Sequence, residues 1–77
     1  MINMVLTGWL YRIEEPDGEY LVLCSKPLGD YKSIDAVEQS PFRLAEKKGA
    51  SIEPLFKLLE PMLGRKVKIT VEEVKQT

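Results

Sequence analysis

Cys24 is the single thiol of this 77-residue chain, and the chain has no histidine to serve as its base. A thiol becomes a useful nucleophile when a neighbouring base or positive charge lowers its pKa. Cys24 ends an apolar run with no such neighbour in sequence, so an inert buried thiol is expected. The lack of histidine also removes the usual serine or cysteine triads. A zinc ion would find only one thiolate and scattered carboxylates, a poor donor set. Proton transfer near neutral pH would fall to a shifted carboxylate, lysine or tyrosine. Glu14, Glu15, Asp17 and Glu19 do crowd one stretch. A hard cation, however, needs several oxygens at one point, and side chains straddling a turn alternate in direction. Gly18, Gly29, Gly49 and Gly64 are isolated and form no phosphate-cradling loop. The expectation is a non-enzymatic chain with no metal site and no cofactor.

Binding chemistry has more candidates. Arg12 lies among Trp9, Tyr11, Tyr20 and Tyr31, and aromatic rings beside a guanidinium can stack unpaired bases. The competing and preferred reading is that Trp9 and Tyr11 fill a thin core, where a large ring brings much buried area. Lys47, Lys48, Arg65, Lys66 and Lys68 could neutralise phosphates. Their ordinary reading is a solvated face balanced by Glu53, Glu60, Glu72 and Glu73. Leu10, Leu28 and Leu58 are poorly explained as core, which motivates an interface. A protein partner, or a second copy of the chain, is therefore expected first. Single-stranded nucleic acid ranks second, because a net charge of −1 supplies no overall positive field.

These residues need a scaffold. At 77 residues the chain is expected to form one small domain over residues 1–77, with a thin core that benefits from a partner. With 44% hydrophobic and 30% charged residues it is neither disordered nor membranous in composition. No apolar run approaches the ~18 residues of a membrane span. The amino end lacks the basic region and cleavage site of a signal peptide, so a cytoplasmic location is expected.

Residues 5–14 read as a strand ending at Glu15-Pro16-Asp17-Gly18, a strong turn signal. Residues 19–25 read as the returning strand, and apolar side chains on both of its faces suggest a central or strongly curved strand rather than a solvent-facing one. Alternation puts Trp9, Tyr11 and Ile13 inside and Leu10, Arg12 and Glu14 outside. Gly8 marks a bulge, a bend or a close backbone approach. Residues 26–30 are a loop by composition. Residues 31–48 are ambiguous. Ser40-Pro41 and Gly49 frame a helix, yet Phe42 and Leu44 alternate with Arg43, and a strand over 42–45 is preferred. Residues 51–63 predict a helix with Ser51 as cap and the stripe Ile52, Leu55, Phe56, Leu59, Met62 and Leu63, distorted near Glu60 by Pro61. Residues 65–71 predict an amphipathic strand with Val67, Ile69 and Val71 on one side.

The expected order is hairpin, loop, strand, helix, strand. Together with Leu6-Thr7-Gly8-Trp9-Leu10, Pro41-Phe42-Arg43-Leu44 and Gly64-Arg65-Lys66-Val67-Lys68-Ile69-Thr70, it resembles a small OB-type barrel. The resemblance covers about half the chain and implies a β-rich α+β fold, a partly open barrel with one helix. It implies little about function, because such barrels host many roles.

Overall fold

The computed structural model describes residues 3–75 as a small α+β fold. Its elements are β1 (Trp9–Glu15), β2 (Gly18–Cys24), β3 (Ser33–Asp35), α1 (Pro41–Lys47), β4 (Ile52–Pro54) and the single-turn α2 (Leu55–Leu58), followed by a 3-10 turn at Glu60–Met62. The strands form one open, mixed sheet in the order β3-β1-β2-β4. β1 and β2 are antiparallel, with Tyr11 opposite Val22, Ile13 opposite Tyr20 and Glu15 opposite Gly18, so the chain reverses at Pro16-Asp17. β3 runs parallel to β1, with Ile34 beside Ile13. β4 runs antiparallel to β2, with Ile52 beside Cys24. β2 thus holds the interior place that its two-sided apolar run predicts.

The inner face follows from alternation. Tyr11, Ile13, Val22, Cys24 and Ile34 are buried there, with Trp9, Tyr20 and Ile52 packed at the margin. Leu28 and Ala45 complete the core. Leu28 is 3% exposed, so the sequence-based place for it in an interface is corrected. The loop after β2 is short and turns back over the sheet end. The phenol of Tyr11 holds it there: the Leu28 amide donates to Tyr11 Oη at 2.9 Å.

The first strand begins at Trp9, later than residue 5, and Gly8 explains why. A Cβ at this position would lie 2.7 Å from the Cys24 carbonyl oxygen, and its φ is +159°. Gly8 is thus a point of close backbone approach, where the chain bends before pairing starts. Val5 and Leu6 lie outside the sheet and are exposed.

Residues 41–47 are helical, which corrects the strand expected over 42–45. Ser40 accepts from the Arg43 amide, and Pro41 occupies the first turn, where no amide bond is lost. At the other end Ala50 N–H donates to Ala45 O at 2.9 Å and Gly49 N–H to Glu46 O at 3.0 Å. This is a Schellman closure, with Gly49 at φ +65°. The inward stripe is Pro41, Leu44 and Ala45, at helical spacing, while Phe42 points outward at 53% exposure. The apparent alternation of Phe42 with Leu44 therefore compared residues on different sides of a helix.

The helix expected over 51–63 is replaced by β4, one turn of α2 and the 3-10 turn. Ser51 does not cap a helix. Its N–H donates to Ser25 Oγ at 2.8 Å, and its carbonyl accepts from the Ser25 amide at 2.9 Å. Edge pairing with β2 satisfies main-chain groups that an interior strand would otherwise leave bare, and this outweighs local helical periodicity. Of the expected stripe only Ile52 packs on the core; Phe56 and Leu63 are largely exposed. Pro61 sits in the 3-10 turn, near the predicted distortion. Residues 65–71 form no strand within this chain. Their last main-chain tie to the body, among the described residues, is Arg65 N–H to Met62 O at 3.1 Å.

Candidate binding surface

The outer face of the sheet is built by the side chains that alternate away from the core. β1 contributes Leu10, Arg12 and Glu14, and their direct partners on β2 are Leu23, Leu21 and Glu19. β3 adds Ser33 and Asp35, and β4 adds Glu53. Partners across a ladder share a face, so this face has an apolar centre of three leucines with carboxylates around it. No helix covers it. Leu10 is 49% and Leu21 44% exposed, whereas Val22 between them in the ladder is fully buried on the other side.

Arg12 is the cation that the strands themselves place on this face, and Lys32, just before β3, borders it beside Leu10 and Leu21. The Arg12 Nε lies 3.6 Å from Glu14 Oε1 and 3.4 Å from Glu19 Oε2, and donates to Ser33 Oγ at 3.1 Å. Three strands thus meet at one guanidinium. Glu14 and Glu19, two of the four carboxylates near the hairpin turn, are therefore shared with a cation of the chain itself. Exposure limits the strength of such pairs to less than ~1 kcal/mol each; their effect is to hold Arg12 flat on the sheet.

The other basic candidates are not gathered around Arg12. Lys47 ends α1, and Lys48 is its C-cap, with its carbonyl accepting from Lys26 Nζ at 3.3 Å. Arg43, Glu46 and Lys47 line a shallow open groove along α1. Arg65, Lys66 and Lys68 lie in the extended segment after Gly64 and are exposed. No hydrogen bond or ion pair among the described residues joins the α1 group to the C-terminal group. Leu58, proposed from sequence as an interface residue, is half-buried at the end of α2.

The aromatic side chains do not assemble a stacking platform. Tyr11 is buried. Tyr20 meets Phe56 edge to face, with ring centroids 6.2 Å apart. Tyr31, with Leu10, Tyr11, Arg12, Leu21 and Lys32, lines a shallow open cleft of about 310 Å³ beside the start of β1, because β3 begins only opposite Arg12. This cleft went unseen in the sequence because it exists only through the three-residue length of β3.

Tyr20 Oη donates to Glu15 Oε1 at 3.2 Å. Partial loss of water raises the Tyr20 pKa above 10.0, and the hydrogen bond and the charge of Glu15 raise it further. The folded state therefore holds this proton more tightly than the unfolded chain does. The stabilisation is complete below the unfolded tyrosine pKa and is lost as pH rises through the folded value. Ultraviolet titration should show the Tyr20 phenol ionising late, and Glu15→Gln should bring it back toward the ordinary value. A titration unchanged by Glu15→Gln would contradict this pairing.

Among the described residues no three His, Cys, Asp or Glu side chains cluster as a metal site would require, and no helix is long and apolar enough to cross a membrane. The fold and this surface define a small α+β class with an open four-stranded mixed sheet and one uncovered, leucine-centred face. No family model, curated protein or solved structure matches the chain.

Proposed function

We propose that this chain is a non-enzymatic protein-interaction module that associates with copies of itself. The observation that carries this reading is the uncovered outer face, with Leu10 and Leu21 half-exposed at its centre. One face of a small sheet normally packs on a core while the other is polar. Apolar residues grouped on the solvent side point to a partner surface. The chemistry of the chain agrees with a binding role: Cys24 is buried at 1% exposure, and the concave features described above are shallow. The OB-like reading belongs to this proposal in one respect. A barrel would need a further strand to carry the sheet round, and 65–71 is the segment with the alternation for it.

Sedimentation of the full chain over a wide micromolar range tests the reading. The expected result is a mass that rises with concentration toward that of a dimer. A strict monomer throughout would overturn it. Titration of Trp9 fluorescence with short oligonucleotides at low salt tests the nucleic-acid alternative, and the expected result is no saturable quenching. Saturable binding that weakens with salt would replace the present reading with that one.

A further inference from the structure

We infer that residues 65–71 of one copy dock on the outer sheet face of a second copy, over Leu10, Leu21 and Leu23; the inference rests on the self-association proposed above. Residues 65–71 alternate as a strand does, with Val67, Ile69 and Val71 on one side and Lys66, Lys68 and Thr70 on the other. Yet Val67, Ile69 and Val71 are 50%, 65% and 82% exposed. Beyond Arg65, this segment has no main-chain hydrogen bond among the described residues. Among the described residues the chain therefore carries two apolar surfaces left open at once: a leucine-centred sheet face with no cover and an amphipathic segment with no sheet.

Charge assigns the occupant. Residues 1–64 hold ten carboxylates and seven cations, whereas 65–71 holds three cations and no carboxylate. The outer face repeats that bias: Glu14, Glu19 and Asp35 on the strands near Arg12 and Glu53 beside Leu23 outnumber the cations Arg12 and Lys32. A basic segment meeting an acidic-rimmed face is attracted and oriented. With Val67, Ile69 and Val71 down on the leucines, the long stems of Lys66 and Lys68 can reach outward to that rim. Each copy supplies one segment and one face, so two copies related by a two-fold axis cover both apolar surfaces reciprocally while the segment's main chain stays hydrated, and the assembly closes at a dimer.

Substitutions on exposed positions test this in the full chain. Ile69→Glu disables the segment and leaves the face intact; Leu21→Glu disables the face and leaves the segment intact. Each variant, shown folded by circular dichroism, is expected to weaken self-association at least tenfold. A mixture of the two is expected to form mixed pairs more tightly than either variant associates alone, because one good segment then meets one good face. Should Leu21→Glu fail to fold, Leu10→Lys serves in its place. Association as strong as wild type in both variants would overturn the inference while leaving self-association standing. A mixture no tighter than its components would also overturn it. A wild-type chain that never associates would remove both the inference and the reading beneath it.

Discussion

Ile13→Ala is expected to destabilise the fold by about 2–5 kcal/mol, the range for truncating a buried aliphatic side chain to alanine. Ile13 has no exposed surface and sits on the interior strand β1, flanked in the ladder by Tyr20 on one side and Ile34 on the other. Its truncation leaves a cavity walled by two strands that are pinned by their own hydrogen bonds. Collapse into that space is therefore limited, and the cost should fall toward the upper part of the range. Domains of this size often have total stabilities near the low end of 5–15 kcal/mol, so the loss is a large share of the whole. Each kcal/mol shifts Tm by about 4–8 °C in a chain this long, and a fall of at least ~10 °C is expected. Denaturant titration should show a lower midpoint with an unchanged slope. Leu21→Ala on the uncovered face is the control: half-exposed, it should cost far less in the monomer. Equal losses at the two positions would show that the inner face is not the core.

Tyr11→Phe is expected to cost about 1–3 kcal/mol despite preserving the ring, because it strands a buried amide. The phenol oxygen accepts from the Leu28 amide at 2.9 Å. It also donates to the Gly29 carbonyl at a longer 3.5 Å. The first bond matters more, since Leu28 is itself in the core and its N–H has no water to turn to. The loop after β2 is thus tied to the sheet by one side-chain atom. Hydrogen exchange at the Leu28 amide should accelerate more than exchange in β2 when the hydroxyl is removed. Tyr31→Phe, at a partly exposed ring, should change little. A Leu28 amide that stays fully protected in Tyr11→Phe would show that other contacts hold the loop.

The same two residues show what could be read before any coordinates. Period-two alternation from Trp9 to Glu14 assigns Tyr11 and Ile13 to the interior and Leu10 and Arg12 to the outside, and the register of β1 on β2 agrees. The assignment succeeds because pleating is local: once a strand forms, neighbouring side chains must face opposite ways. The turn at Pro16-Asp17 was legible for the same reason, as its dihedral demands fall on the residues that make it. Cap signals are equally local. Ser40, Pro41 and Gly49 frame α1 in the sequence, and the preference for a strand there came from pairing Phe42 with Leu44 instead of Pro41 with Leu44 and Ala45.

The outer surface was only partly legible. Leu10 could be singled out as a residue without a core role, but Leu21 and Leu23 join it only through the register of β1 with β2. Leu28 carries the same apolar signal and lies in the core, because the Tyr11 hydroxyl folds its loop inward. No pattern in residues 26–30 alone distinguishes those two outcomes.

By itself, then, the amino-acid order determined the hairpin, its two faces, and the ends of α1, all of which depend on neighbours within a few positions. Only the tertiary structure decided that residues 52–54 extend beside Cys24 rather than coil, that Ser33–Asp35 lies parallel to β1, and that 65–71 stays off its own sheet. Those outcomes turn on which distant main-chain groups have a free edge to pair with. Such competition is settled between segments far apart in the chain, where local periodicity carries no information.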